Sequence, residues 1–236
     1  MPEDLGHHRE TNRANWDERA DLHAVDGELG YGIDRYVTDR TLLSDVVQFD
    51  RERLGDVSGL RTVHLQCHIG TDTLSLARLG ARVTGLDFSS VAVDRARALV
   101  ARTGDDVDFV ESDVYAAAEV LGTGGFDLVY TGIGALCWLP SIDRWAATVS
   151  ALLRPGGRLF IREGHPILWS MDETIDDDLH LRFPYFEPEE PLEWDDDSTY
   201  VATDRPIAAS KTYEWNHGMG EIVTALLDHD PHDATT

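Results

Sequence analysis

The stretch HLQCHIGTDT, residues 64–73, concentrates side chains that could bind a ligand. Its two histidines and one cysteine are of the types that bind zinc, but the sequence adds no further ligands at a spacing diagnostic of a zinc site. Its one glycine, Gly70, falls short of the GxGxxG pattern that holds a dinucleotide pyrophosphate. Asp72 would place a carboxylate in the first turn of a following helix and repel such a phosphate. The stretch therefore favours a cationic or zwitterionic ligand.

Further side chains with chemical potential occur where apolar runs end. Asp87 closes ARVTGLD, Asp113 closes VDFVESD, and Glu163 and His165 follow RLFIR. If these runs are parallel strands, their carboxyl ends meet at one edge of a sheet, and ligands bind there where the strand order reverses. We therefore expect these residues to surround one crevice.

The elements that must position these residues lie in 61–162, where short apolar runs alternate with helical patterns, as in βαβ units. Strands are predicted at 61–66, ARVTGLD, VDFVESD, FDLVYTGI and RLFIRE. Helices are predicted over 71–79, from Ser89 or Ser90 to Val100, and from Ser141 to Leu153, after which RPGG turns the chain. Because the strand runs are mostly apolar rather than alternating, both faces of the sheet should be covered. The sequence predicts a doubly wound, mainly parallel α/β sheet with helices on both faces.

Composition limits the partners of this chain. Its 236 residues, 42% of them hydrophobic, suit a single domain with a sizeable core. The net charge of −24 argues against nucleic acid or an anionic membrane surface and favours a small-molecule partner. No run of about 18 apolar residues and no secretion-signal order is present, so we expect a cytoplasmic protein. The two cysteines do not suggest a disulfide framework.

Four stretches carry a family resemblance: HLQCHIGTDTLSLARLGARVTGLDFS, ESDVY, FDLVYTGIGALCWLP and LRPGGRLFIREGHP. Together they resemble class I S-adenosylmethionine-dependent methyltransferases, which have a Rossmann-like fold, and the resemblance covers roughly residues 10–228. More narrowly, the chain is similar to a bacterial small-molecule branch in which LQCHxG replaces the usual glycine turn.

The resemblance implies S-adenosyl-L-methionine as cofactor. The loop after the first strand would hold its methionine end, and the acid after the second would accept hydrogen bonds from both ribose hydroxyls. The acid after the third strand would meet the adenine amino group, with the next backbone amide at a ring nitrogen. The residues after the fourth strand would line the methionine part and face the reactive methyl. The residues implied are Gln66, Cys67, His68, Gly70, Asp87, Phe88, Asp113, Val114, Thr131 and Gly132.

Methyl transfer from a sulfonium is an in-line displacement, so alignment of acceptor and methyl is the main task and a general base is optional. By position, His165 and Glu163 are the candidate bases, followed by Tyr130 and His217. His165 could instead be a turn residue, fixed by the proline after it, that merely lines the pocket.

Two segments outside the five predicted strands should cover the crevice. Residues 1–60 would form an N-terminal cap with a helix at TNRANWDERADLHA, and 163–215 an insertion with a hairpin at RFPYF and STYVAT. The aromatic rings of the insertion either meet an organic substrate or form a satellite core. Its acidic runs, ETIDDD and EWDDDSTY, either attract a basic substrate or form a solvated face.

The C-terminal region is the least typical of the resembled family. Residues 216–228 should include the last helix and 229–236 a disordered tail, so the strand pair that completes the family's sheet is missing. We expect the insertion, or another subunit of a homo-oligomer, to cover the open edge beside the fifth strand. Two functions stay open: an active small-molecule methyltransferase, and a catalytically inactive module that binds S-adenosylmethionine or a metabolite. A nicotinamide-dependent dehydrogenase is disfavoured, since GxGxxG is absent.

Overall fold

A five-stranded parallel sheet forms the centre of the computed structural model, which describes residues 3–230 apart from 173 and 176. The strands are β1 (Arg61–Leu65), β2 (Arg82–Asp87), β3 (Asp108–Glu111), β4 (Phe126–Thr131) and β5 (Leu153–Ile161). Their order is β3-β2-β1-β4-β5, so the strand order reverses between β1 and β4. The predicted doubly wound parallel sheet is confirmed, and its switch point lies beside the loop that follows β1.

Nine α-helices surround and cap the sheet in the described part of the chain. They are α1 (Glu3–His23), α2 (Ile33–Thr38), α3 (Asp45–Leu54), α4 (Thr71–Arg78), α5 (Ser90–Thr103), α6 (Ala117–Leu121), α7 (Ile142–Leu152), α8 (Pro166–Trp169) and α9 (Met219–Asp228). Ser89 caps α5 as predicted, its hydroxyl accepting from the amide of Ala92. That helix runs three residues past the predicted end at Val100, to a left-handed cap at Gly104.

Two apolar clusters flank the sheet. One joins β1 and β4 to α7 and includes the fully buried Trp145; the other packs Leu54 of α3 and Leu76 of α4 against the sheet. At about 25 cal/mol per Å² of apolar surface, such burial is the main force that fixes the helices on the sheet. The carboxyl ends of β1, β2 and β4 are thereby held at fixed positions.

The predicted RPGG turn lies inside β5. Leu153 pairs with Phe126 and Arg158 with Leu128, so residues 154–157 form an irregular bulge between two paired positions. The strand therefore begins directly at the end of α7, earlier than the sequence pattern indicates.

The insertion does contain an antiparallel strand pair, but the strands lie at other residues than predicted. The antiparallel pair consists of β6 (Leu192–Asp195) and β7 (Lys211–Glu214), and RFPYF and STYVAT contain no strand. Proline interrupts the first segment, where the amides of Arg182 and Phe183 donate to the Ser170 carbonyl instead. In the second, the Ser198 amide donates to the side chain of Asp196 in a turn.

The insertion adds no strand to the edge beside β5 among the described residues, and coverage of that edge by another subunit stays a prediction. Strand β7 packs against α1, which in turn packs against α5 on the other side of the fold. Among the described residues, no strand pairs with β5 except β4. Residues 231–236, most of the predicted tail, lie outside the described part. None of the described helices is long and apolar enough to span a membrane.

Candidate active site

A cavity of about 1060 Å³ opens at the carboxyl ends of β1, β2 and β4. The core contributes the loop after β1, the end of β2, the first turn of α4 and residues 132–135 after β4. Segments outside the core close it with aromatic rings: Trp16 of α1, Tyr31 and Tyr36 near α2, and Trp169 and Tyr200 of the insertion. The crevice predicted at the switch point is present and is capped by both predicted segments.

The loop after β1 forms without a run of glycines. Gln66 and His68 both adopt left-handed backbone conformations, with φ of 55° and 50°, which costs about 1–3 kcal/mol each. Hydrogen bonds hold both residues in place. The side-chain amide of Gln66 donates through Nε2 to the Ala135 carbonyl (2.8 Å), and the backbone N–H of His68 donates to Asp87 (2.7 Å). At Gly70 a Cβ would lie 2.7 Å from the Phe109 ring, so this glycine is required by packing.

Asp87 links the first two strand ends. Its Oδ2 accepts from the His68 amide and its Oδ1 from the Ser89 amide (2.9 Å), while the residue still lines the cavity. Burial raises its pKa to about 6, against the lowering effect of those two amides. The carboxylate is therefore fixed in orientation and retains lone pairs for hydroxyl donors of a ligand.

Asp113 and Val114 line a smaller neighbouring cavity of about 40 Å³, together with Gln66 and Phe88, which also border the large cavity. The Asp113 carboxylate caps the turn that follows, accepting from the Tyr115 amide (2.8 Å). Its second oxygen pairs with the guanidinium of Arg9 from α1. The structure thus brings the predicted adenine-binding residues next to the other cofactor residues, with Arg9 across them.

The residues after β4 differ in exposure to the cavity. Gly132 lines it, whereas Thr131 is fully buried and does not. A Cβ at Gly132 would lie 3.7 Å from both Asp72 Oδ2 and His64 Nε2. Cys67 lines the cavity as well, and burial raises the pKa of its thiol well above the usual range, so the sulfur is protonated.

The four candidate bases do not line the cavity. Glu163 accepts backbone N–H groups of the 134–136 loop at 2.6–2.9 Å, and His165 is an exposed residue whose ring accepts from the Ile167 amide at the start of α8. The Tyr130 hydroxyl donates to the carboxylate of Asp50 in α3 (2.9 Å). The ring of His217 lies 2.9 Å from Glu187 and about as close to two backbone carbonyls. Each of the four therefore has a local structural partner.

The cavity also has polar lining residues outside the predicted site, among them His64 and Asp72. The sequence did indicate that Asp72 could belong to the site. It follows Gly70 in the first turn of α4, and the start of that helix lies beside the switch point of the sheet. His64 opens the stretch in which the sequence indicated ligand-binding side chains, but its place inside an apolar strand favoured a core residue. Its ring lies close to Gly132, the residue that follows the neighbouring strand β4.

Part of the chain is similar to known methyltransferases. Residues 63–159 match a family model described as a methyltransferase domain. Ubiquinone biosynthesis O-methyltransferases of Nitrosococcus oceani and Xanthomonas oryzae are 33% and 36% identical over 104 and 107 residues. These matches cover 44% and 45% of this chain, and 43% and 44% of those proteins, so the similarity spans less than half of the curated relatives.

Solved structures extend the likeness over most of the chain. An S-adenosylmethionine-dependent methyltransferase from Mesorhizobium loti aligns with a TM-score of 0.55 and 26% identity, over 77% of this chain and 78% of that one. A putative one from Listeria monocytogenes aligns with a TM-score of 0.59 over 78% and 79% of the two chains, at 18% identity, which supports the fold alone. The sheet order and these alignments show a Rossmann-like methyltransferase fold, and the matched methyltransferase domain covers less than half of the chain.

Proposed function

We propose that this protein transfers a methyl group from S-adenosyl-L-methionine to a small organic acceptor. The observation that carries the proposal is the position of Asp87, which is tied to the loop after β1 through His68 and faces the cavity at the switch point. Bound S-adenosylmethionine would supply an electrophilic methyl group. The protein's own contribution is to hold cofactor and acceptor in line and to exclude water.

The residues present suit a cationic, hydroxyl-bearing cofactor. Gln66 Oε1 is buried and has no hydrogen-bond partner among the described residues, so a ligand donor would satisfy it. The acids that line the cavity, including Asp72 and Asp87, favour a ligand that carries an ammonium and a sulfonium.

Apart from Thr131, which does not line the cavity, the predicted cofactor residues keep their proposed roles. Gln66, Cys67 and His68 would hold the methionine end, with Gly70 shaping their loop. The ribose would lie at Asp87 and Phe88, the adenine at Asp113 and Val114, and the methyl near Gly132. We place the protein in the small-molecule branch with the LQCHxG loop, because the hydrogen bonds of that loop replace the usual glycines.

The proposal gives no required role to a general base at the predicted positions. Glu163 and His165 face the 134–136 loop and α8 rather than the cavity. Movement of α8 on substrate binding would be needed to bring His165 to an acceptor. The residues of the cavity itself are therefore the better place to look for acceptor contacts.

Calorimetric titration with S-adenosylmethionine and S-adenosylhomocysteine tests the proposal, using the wild type, Asp87→Ala and, as a matched surface control, Asp94→Ala. Binding that is lost only in Asp87→Ala supports the site. Conversion of S-adenosylmethionine to S-adenosylhomocysteine in the presence of an acceptor then separates the enzyme from an inactive binding module. A folded wild type that binds neither compound would refute the proposal.

A further inference from the structure

The peptide group between Ala135 and Leu136 connects the loop after β4 to the loop after β1. Its carbonyl accepts a hydrogen bond from Gln66 Nε2 (2.8 Å), and its N–H donates to Glu163 Oε1 (2.9 Å). Because a carbonyl oxygen only accepts, the side-chain amide of Gln66 must turn its nitrogen toward this peptide group. Its buried Oε1, which has no hydrogen-bond partner among the described residues, is thereby left to accept from a ligand.

The following peptide group is held by His217, which lies between β7 and α9. His217 is 2% exposed, and its Nε2 lies 3.0 Å from the Leu136 carbonyl oxygen and 2.9 Å from that of Leu139. Since both oxygens are acceptors, Nε2 must carry a proton. One ring N–H therefore bridges the backbone on either side of Trp138, which lines the cavity.

Contacts with neighbouring segments fix the His217 ring in this position. Nδ1 lies 2.9 Å from Glu187 Oε2 in the insertion, and the same oxygen accepts from the Ile142 amide at the start of α7 (2.8 Å). The amide of Trp215, two residues before His217, donates to the Cys137 carbonyl (2.8 Å). The insertion and the chain before α9 therefore hold the loop after β4 together.

The same contacts do not suit His217 to act as a general base. The ring does not line the cavity, and the proton on Nε2 is bound to two carbonyls. Its connection to the site is through the backbone, from the Leu136 carbonyl to the adjoining Ala135 carbonyl and from there to Gln66. A shift of this backbone would move the acceptor that orients the Gln66 amide.

We infer that His217 is a positioning residue of the cofactor site: its Nε2–H holds the backbone of the loop after β4, and that backbone orients the side chain of Gln66. This inference rests on the proposed function, because it takes Gln66 as a contact of S-adenosylmethionine. His217 itself contacts neither the cofactor nor the acceptor, and its effect on the reaction is through cofactor affinity.

The first experiment uses the wild type and needs no substitution in the protein under test. Long-range ¹H–¹⁵N correlation spectra distinguish protonated from unprotonated ring nitrogens, and the spectrum of His217→Gln assigns the signals of His217 by their absence. Nε2 of His217 should carry a proton at neutral pH. An unprotonated Nε2 overturns the inference, because neither carbonyl contact would then be a hydrogen bond.

Calorimetric titration with S-adenosylhomocysteine measures the effect on the cofactor site. His217→Phe keeps a ring but removes the N–H donor, so the affinity should fall about threefold to tenfold, the effect of one hydrogen bond. His217→Gln keeps an N–H donor at the end of the side chain and should restore the affinity to within about twofold of wild type. His229→Phe, which removes a ring bonded to Asp143 at the far end of α9, is the matched control. Wild-type affinity in His217→Phe, or an equal loss in His217→Gln, overturns the inference.

A double-mutant cycle with Gln66→Met separates positioning from a general loss of stability. If His217 acts through Gln66, His217→Phe should lower the affinity by less than about twofold further once Gln66 is replaced. Factors that multiply in the double variant would reveal a route that does not include Gln66, and they refute the inference. A purely structural residue would lower the free energy of unfolding while the folded protein kept its affinity, and that result refutes it too.

Solvent exchange of the Gln66 side-chain amide gives a readout that does not depend on the cofactor. Its bonded N–H should exchange more slowly in wild type and His217→Gln than in His217→Phe. If His217→Phe does not fold, Glu187→Gln takes its place, because it removes the carboxylate beside Nδ1, and Glu190→Gln at an exposed position is its control. Equal exchange in wild type and the folded variant contradicts the inference.

The two readouts separate failure of the inference from failure of the proposed function. A wild type that binds S-adenosylhomocysteine with an affinity that does not depend on His217 contradicts the inference alone. A wild type that does not bind it contradicts the proposed function. The exchange of the Gln66 amide then decides whether His217 orients that side chain.

Discussion

His23 Nδ1 lies 2.8 Å from His68 Nε2, so a hydrogen bond joins the end of α1 to the loop after β1. The other ring nitrogen of His23 lies 2.8 Å from Thr199 Oγ1 in the insertion. Burial lowers the pKa of His23 to about 4 and that of His68 well below its usual value, so both rings are neutral at pH 7. The pair therefore ties the N-terminal cap, the insertion and the proposed cofactor loop together.

Loss of this connection should accelerate release of the cofactor product. His23→Phe keeps the ring volume but removes both hydrogen bonds, which is worth about 0.5–1.5 kcal/mol per bond. Dissociation of S-adenosylhomocysteine should become roughly tenfold faster in stopped-flow measurements, since about 1.4 kcal/mol corresponds to a factor of ten. The control is His229→Phe, at the far end of α9. Equal dissociation rates for wild type and His23→Phe would contradict this role.

Arg9 should compete with the cofactor for Asp113. Its guanidinium pairs with the carboxylate that the adenine amino group would use, so binding must displace that pair. Arg9→Ala should therefore speed association of S-adenosylhomocysteine, by about threefold to tenfold if the pair contributes on the order of 1 kcal/mol. Stopped-flow association rates for Arg9→Ala and for the neighbouring control Arg13→Ala provide the comparison. Slower association in Arg9→Ala would show instead that Arg9 assists binding.

Glu163 should stabilise the 134–136 loop. Its carboxylate accepts N–H bonds from Gly134, Ala135 and Leu136, and a neutral amide has one acceptor oxygen instead of two. Glu163→Gln should lower the free energy of unfolding in urea by about 1–3 kcal/mol. Glu111→Gln, at an exposed strand end, should change it little.

The same variant separates a structural role from a catalytic one. If Glu163 positions the loop, the pH profile of turnover keeps its shape in Glu163→Gln. Unchanged stability with abolished turnover and an altered pH profile would support the original prediction that Glu163 acts as a base.

Glu214 on β7 should destabilise the protein at high pH. Burial raises its pKa to about 7 despite the nearby charge of Arg19, so the folded state favours the protonated form. A carboxyl whose pKa is raised in the folded state contributes stability below its unfolded pKa of about 4.5, and that contribution is lost as pH rises through the folded pKa. Stability should therefore fall between about pH 4.5 and pH 7.

Substitution by the neutral isostere tests this sign. Glu214→Gln should raise Tm relative to wild type at about pH 8 and change it less at about pH 5. The matched control is Glu193→Gln on β6, where Lys211 and Tyr213 hold the pKa of an exposed carboxyl below its usual value. A Tm difference for Glu214→Gln that does not depend on pH would show that the effect is not due to ionisation.

The sequence determined the central sheet. Five apolar runs separated by helical patterns specify a doubly wound order, because parallel strands need crossover helices and burial on both faces. It also determined that Asp87 closes β2 and that Asp113 follows β3, since both positions follow from the ends of the apolar runs. These are local properties of hydrophobic pattern and spacing.

Only the tertiary structure decided which polar groups face the cavity and which form hydrogen bonds with other parts of the protein. Glu163 and His217 were reasonable candidate bases by position, but backbone amides and carbonyls from distant segments occupy them. His64 of β1 and Asp72 of α4 both line the cavity, close to Gly132 after β4, although they belong to different elements. The insertion packs against α1 through β7 rather than beside β5, and the strand pattern of the sequence does not specify which of these surfaces it contacts. Sequence periodicity fixes which side of an element is buried, whereas the partner of each side chain depends on contacts between residues far apart in the chain.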